Sequence, residues 1–285
     1  MPEENDESGA GALALLHRYG GQDMTSLLDS AIDKAAELIA AAQKVVVFTG
    51  AGVSTESGIP DFRSPGGIWT KYQPIMFQDF MSSEEMRRES WRRGKETYHL
   101  FADVHPNPAH HAVVELERMG RLDCIITQNI DNLHQKAGSS PELVIELHGT
   151  AMFVLCMNCG KRWPRAEIQE WLEAGVEIPC CDECSGIMKS ATVSFGQPMP
   201  EKETREAQLR AERADVFVVI GSSLVVYPAA HLPLLAKQSG SKLIIINLAD
   251  TPFDAYADVL IQGKAGDVMQ RLIERVKSRI GAPDS

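Results

Sequence analysis

The chain has 285 residues, 44% hydrophobic and 24% charged, a balance that suits one large or two modest globular domains and excludes a mainly disordered or collagen-like chain. Lysines and arginines number 28 against 39 aspartates and glutamates, and the net charge of −11 argues against strong nucleic-acid binding but not against a cationic peptide partner. No apolar run reaches the roughly 18 residues of a membrane helix, and the start MPEENDES is acidic where a secretory signal is basic, so no membrane contact and a cytoplasmic location are expected.

Residues 1–22 are acidic and glycine-rich and are expected to form a disordered tail. From Thr25 or Ser26 to about Ala42, Leu27, Leu28, Ile32, Ala35, Leu38 and Ile39 recur at helical spacing. KVVVF follows, a β-branched run without polar alternation, the mark of a strand covered on both faces in a parallel sheet. A region rich in methionine, arginine and aromatics, about 66–105, reads as a helical insertion. Strands are expected at Leu122–Thr127, Val216–Ile220, Leu243–Ile246 and Asp258–Ile261, and helices at Pro108–Met119, Lys202–Ala214, Pro228–Gln238 and Asp267–Arg279. This alternation predicts an α/β domain over 23–150 and 191–285, with a parallel sheet whose strand C-termini and polar loops share one edge. Residues 151–190 break the pattern, with little strand–helix alternation and five of the six cysteines.

Within that cluster, Cys156-x2-Cys159 and Cys181-x2-Cys184 bracket a ribbon-type zinc spacing. Each tight turn offers two adjacent corners of a tetrahedron, and four thiolates leave no open position, so one structural zinc is expected. Cys180-x3-Cys184 is also conceivable, but the x2 spacing of the first knuckle favours Cys181; Cys124 reads as a buried thiol inside a strand. The turn Gly50–Gly58 leaves the first strand, where glycines let a ligand approach the backbone and helix N-terminal amides attract phosphate. Thr55 stands where the G-x-G-x-x-G fingerprint needs its third glycine, which weakens a dehydrogenase reading. Asp61, Phe62 and Arg63 share a Pro/Gly-rich loop suited to a lid, and Gln128, Asn129 and Asp131 cluster at the end of the second expected strand, able to fix a ribose or carboxamide or to cap a helix. His148 follows a strand-like run at the same edge and suits general-base work, whereas the other histidines, His110 and His134 among them, read as helix surface, helix start or loop.

Together, GAGVSTESGIPDFRSPGGIW (50–69), TQNIDNLH (127–134), ELHGT (146–150), the two knuckles, SFGQPMP (194–200), GSSLVVYPAA (221–230) and NLADTPFD (247–254) resemble the sirtuin family of NAD-dependent protein deacylases, over about residues 30–275. The resemblance implies a Rossmann-like domain, a small zinc module over 151–190, and NAD in the cleft between them. It assigns Gly50, Ala51, Gly52, Ser54, Arg63, Gly221, Ser222, Ser223, Asn247 and Ala265 to the adenosine and phosphates, with Asp61, Trp69, Leu248 and Ala249 in the same cofactor set. Gln128, Asn129, Ile130 and Asp131 match the ribose and nicotinamide pocket, Phe62 sits by the departing nicotinamide, and His148 is the general base, with Asn129 positioning the ribose. Val193, Phe195 and Gly196 match the loop that pairs with the acyl-lysine peptide as a strand. The implied products are nicotinamide, free lysine and O-acyl-ADP-ribose.

There are departures from the family pattern. Gln197 replaces the usual glutamate, Met188-Lys189-Ser190 replaces a common Ile-Arg-Pro, and Trp91 and Gly94 stand where succinyl-preferring members carry a Tyr-x-x-Arg clamp. Neutral acyl groups are therefore expected. The alternatives are a mono-ADP-ribosyltransferase on the same scaffold and a non-catalytic NAD-sensing scaffold, the latter disfavoured by intact Asn129, Asp131 and His148.

Overall fold

The computed structural model describes residues 24–61, 67, 70 and 72–281; the 1–22 segment and Phe62, Arg63 and Trp69 lie outside the described residues. Six parallel strands form the main sheet: β1 (Val45–Thr49), β2 (Leu122–Thr127), β3 (Val144–Glu146), β7 (Val216–Ile220), β8 (Lys242–Asn247) and β9 (Val259–Gln262), in the order β3-β2-β1-β7-β8-β9. The unbroken apolar runs divide by alternate residues between two cores. Val45, Val47, Val216, Val218, Ile244 and Ile246 face one layer, built with the helices Met24–Ala41, Pro108–Arg118 and Ala265–Ile280. Val46, Phe48, Phe217, Val219, Leu243 and Ile245 face the other, covered by Glu201–Arg213 and Leu232–Gln238. Because every pairing is parallel, all six strands empty their C-terminal loops onto one edge.

Two helices depart from the expected limits for local reasons. The pattern predicts one helix over Pro228–Gln238, but Ala229–His231 is a 3-10 turn and the helix begins at Leu232, with Pro233 in its first turn, where a missing N–H costs nothing. The last helix starts at Ala265, two residues before Asp267, because the Glu56 carboxylate accepts the Gly266 N–H at 2.6 Å and caps its orphan amides. The strand-like run before His148 is the sixth strand, β3.

Residues 151–190 hold more regular structure than their sequence suggests. A three-stranded antiparallel sheet, β4 (Gly149–Cys156), β5 (Arg162–Pro164) and β6 (Met188–Thr192), runs in the order β5-β4-β6, with the helix Arg165–Glu173 packed on it. Its core is small: Val154, Cys156, Trp163, Ile168, Leu172, Cys181 and Met188, joined by Trp91 from the helical insertion. Trp91, which aligns with the first clamp position, is thus placed in the small sheet's core. The insertion helix Glu84–Thr97 docks on Arg165–Glu173, with Arg165 Nη2 donating to Gly94 O at 3.0 Å and Lys95 Nζ to Leu172 O at 2.7 Å. Positions 91 and 94 thus face the small sheet's helix. Arg92 and Arg93 are spent on Glu89, at 2.7 and 2.6 Å. No described helix is long and apolar enough to cross a membrane.

Candidate functional site

The loops at the strand ends enclose a cleft of about 600 Å³. Its walls include Gly50, Ala51, Gly52 and Asp61 after β1, Gln128 and Asn129 after β2, His148 after β3, Gly221, Ser222 and Ser223 after β7, and Asn247, Leu248 and Ala249 after β8, with Ala265 opening the last helix. Thr55, Glu56, Val226, Ile246, Gly263 and Lys264 also line it and were not assigned to the cofactor from the sequence. The Gly50–Gly52 turn and the Gly221 turn touch backbone to backbone. Gly52 N–H donates to Gly221 O at 2.8 Å, and a Cβ on Gly221, held at φ +61, would lie 2.2 Å from Val53 N. Only glycine allows this approach, which brings the ends of β1 and β7 together at the point where the chain winds outward in both directions.

Behind the cleft wall lies a buried polar network. Ser54 Oγ donates to Asp131 Oδ2 at 2.7 Å, and Asn129 Nδ2 donates to Gly50 O and Ser54 Oγ, both at 3.1 Å. Ser54 and Asp131 are buried behind the wall, and neither they nor Ile130 line the described cleft. Burial pushes the Asp131 carboxyl up, against the hydrogen bonds it accepts from Leu133 N–H, Ser54 and Asn129. Gln128 Nε2 donates to Ser222 Oγ at 2.9 Å, linking the β2 and β7 loops.

His148 Nδ1 lies 2.9 Å from Gln128 O. A carbonyl oxygen only accepts, so Nδ1 carries the proton and the neutral ring keeps its Nε2 lone pair available as a base. Burial lowers the imidazole pKa, outweighing the opposing pull of the Gln128 carbonyl. Beneath it, His134 corrects the expectation of a surface histidine: it is buried, with Nε2 at 3.1 Å from Thr49 Oγ1, which donates to Thr127 Oγ1 at 2.9 Å. His110 is buried as well, its Nδ1 accepting the Asn107 N–H in a capping box. Its place just after Asn107-Pro108 was the one sequence signal, since the third helical position reaches back to the cap.

Val193, Phe195 and Gly196 do not line the described cleft but form a loop beside it. Val193 N–H donates to His148 O, and Phe195 O accepts the Phe77 N–H, both at 2.8 Å. Gln197 closes a turn on Ser194, with Ser194 N–H donating to Gln197 Oε1 at 3.1 Å, so its side chain is engaged within the loop.

The thiols of Cys156, Cys159, Cys181 and Cys184 all lie within 4.8 Å of one another. Cys156 and Cys184 are 3.5 Å apart and Cys159 and Cys181 3.7 Å. A tetrahedron with Zn–S of about 2.3 Å has S···S edges of about 3.8 Å, so the set fits the ion. The Asn158 and Cys159 N–H groups donate to Cys156 Sγ, both at 3.4 Å, support that a thiolate requires. Cys180 is exposed, and its thiol faces Ile178 O.

A model of the Sir2 family matches residues 50–228. The chain is 46% identical over 242 residues to an NAD-dependent protein deacetylase of Rhodopseudomonas palustris, an alignment spanning 85% of this chain and 96% of that protein. A solved Sir2 structure with a deacetylated p53 peptide and 3′-O-acetyl-ADP-ribose is 40% identical, with a TM-score of 0.79, covering 85% of this chain and 97% of that one. Another, bound to a myristoylated histone peptide, is 42% identical with a TM-score of 0.72, covering 88% and 98%.

Proposed function

The chain belongs to the Sir2 family and is an NAD-dependent protein-lysine deacylase, and we propose that His148 is its general base, that Asn129 positions the ribose, and that Cys156, Cys159, Cys181 and Cys184 hold one structural zinc. The observation that carries the assignment is the His148 Nδ1 contact to Gln128 O, which leaves Nε2 as the free base of a neutral ring in the wall of the cleft. NAD supplies a nicotinamide–ribose bond whose cleavage leaves an electrophilic sugar carbon for the acyl oxygen. The residues present suit a dinucleotide: two close-packed glycine turns, the Ser222 and Ser223 hydroxyls, the Asn247 amide, and Lys264, the one cation among the described cleft residues.

This chain's own groups then do three things. The Ser54–Asn129–Asp131 network fixes the floor of the sugar site. His148 Nε2 would take the proton from a ribose hydroxyl and so make that oxygen a nucleophile toward the acyl group. The Val193–Gly196 backbone receives the acyl-lysine peptide as an added strand. With one water consumed to free the lysine amine, the products would be nicotinamide, free lysine and O-acyl-ADP-ribose. The zinc has no part in the reaction and holds the small sheet together. Phe62, Arg63 and Trp69 belong to the same reading through their motif.

Neutral acyl groups are the preferred cargo, since burying a succinyl carboxylate without a paired cation costs several kcal/mol. Supporting this, Lys264 alone is cationic among the described cleft residues, and one relative holds a myristoylated peptide. The test is one peptide in acetyl, octanoyl and succinyl forms, incubated with NAD and followed by mass spectrometry. Acyl-lysine loss matched by O-acyl-ADP-ribose is expected, with succinyl slowest by about tenfold or more. ADP-ribosylated protein in its place would favour transferase chemistry.

A further inference from the structure

We propose that Lys189 is a positioning residue that holds the peptide-binding loop in register with His148. The inference rests on the deacylase reading above. Lys189 lies in β6 and is only 4% exposed. Strand alternation points it away from Met188, which packs in the small sheet's core. An ammonium taken out of water is costly unless it is bonded, yet among the described residues no carboxylate pairs with it. Its Nζ donates instead to Thr192 O at 2.5 Å and Ser190 O at 3.3 Å. Burial pulls its pKa down to about 8, which leaves it a cation at neutral pH.

The Thr192 carbonyl belongs to the same peptide group as the Val193 N–H, and that N–H donates to His148 O at 2.8 Å. One planar peptide unit is therefore held at both ends, by Lys189 on its oxygen and by the base's own backbone on its nitrogen. The neighbouring strands leave no slack. Gly149 sits at φ +69, and a Cβ there would lie 2.1 Å from Ala191 O. Downstream, the Phe77 N–H holds Phe195 O. Rotation of the Thr192–Val193 plane would turn the edge on which the substrate peptide pairs and shift it relative to His148. A peptide bound by strand addition takes its affinity from main-chain hydrogen bonds, so such a shift weakens peptide binding while leaving the NAD-lined walls in place. Lys189 does not line the cleft, so it acts through this backbone.

The experiment compares wild type, Lys189→Met and Lys189→Arg, measuring nicotinamide release from an acetyl-lysine peptide at varied peptide and at varied NAD, with zinc content and Tm recorded for each. Lys189→Met should raise the peptide KM by about tenfold, with the KM for NAD within about twofold and zinc retained, and Lys189→Arg should restore most of the peptide KM. A peptide KM within about twofold of wild type in the methionine variant would overturn the proposal. So would a parallel rise in both KM values with a fall in Tm that arginine does not rescue, since that is a stability effect. If the methionine variant does not fold, Lys189→Gln, which keeps a neutral donor, must still raise the peptide KM. Failure of the wild type to release nicotinamide from any acyl-lysine peptide would instead sink the deacylase reading.

Discussion

In β1 and β7 all five residues are buried, and each strand feeds two cores, one on each face of the sheet. In β5 only Trp163 is buried, and the small sheet has one core, which includes two of the four clustered cysteines and borrows Trp91 from a helix elsewhere in the chain. The large sheet can stand on apolar burial alone; the small one has little apolar surface, is packed against the docked insertion, and on the zinc proposal above needs the metal as well. The chain crosses between the two twice, at residues 147–148 and after Thr192, and the Val193 N–H bond to His148 O ties the two crossings together in one joint. β3 ends at Glu146 in the large sheet, β4 begins at Gly149 in the small one, and His148 lies between them. His148, the proposed general base, is thus held by a large self-sufficient sheet on one side and by the small sheet that carries the cysteine cluster on the other.

Metal removal should give the largest effect and the sharpest separation of the two. Structural zinc contributes about 10–16 kcal/mol to small modules of this kind. Cys181→Ser or chelation should release zinc and remove hydrogen-exchange protection from β4, β5 and β6, while β1, β7 and β8 stay protected. Cys180→Ser should keep one zinc per chain, because its thiol lies outside the cluster. Equal loss of protection in both sheets after chelation would break the comparison.

Replacement of the base should leave both regions standing and remove the chemistry between them. His148→Phe should lower deacylation by about 10²–10⁴-fold, the usual size of a lost general base. NAD binding and zinc content should stay near wild type, checked by titration calorimetry and metal analysis. Near-normal turnover in the folded, zinc-loaded variant would remove His148 from its role.

The same contrast explains what could be read from the sequence. β1, β2, β7 and β8 were plain in KVVVF, LDCIIT, VFVVI and LIII, because a strand buried on both faces needs an unbroken apolar run. Most of the residues that line the cleft were named through the family motifs, and a parallel sheet gathers those loops on one edge. The small sheet was not plain. Its strands are only partly buried, and β5 has three residues, so β5 and β6 carry no local signal. The packing of Trp91 was hidden for that reason: its partners Trp163, Ile168 and Leu172 lie some 70 residues and more downstream. His134 was hidden differently. Nothing in NLHQKA distinguishes a surface imidazole from one satisfied by Thr49, itself 85 positions away.

The smallest expected effect, and the one that tests the joint most directly, is the acid limb of activity. Burial at the boundary between the sheets lowers the His148 pKa from 6.5, and the Gln128 carbonyl opposes this only in part. The reactive form is the neutral ring, so kcat/KM should fall as pH drops through a midpoint below 6.5. Between pH 7 and pH 8 it should change by less than about 1.3-fold on this account, because nearly all of the histidine is already unprotonated. Stability must be followed in parallel, since other histidines move with the same sign. Burial takes His134 to about 4 and His110 to about 2, so below pH 6.5 the unfolded chain binds protons that the folded chain refuses. Stability is then lost progressively as pH falls from 6.5 toward those values. His148 contributes to the same loss, but its effect on rate appears while the chain is still folded. The measurement is kcat/KM from pH 5 to 8 with circular dichroism at each point. A rate midpoint at or above 6.5 in folded protein would show that the joint does not desolvate the base, and the small sheet would then have no electrostatic hold on the reaction.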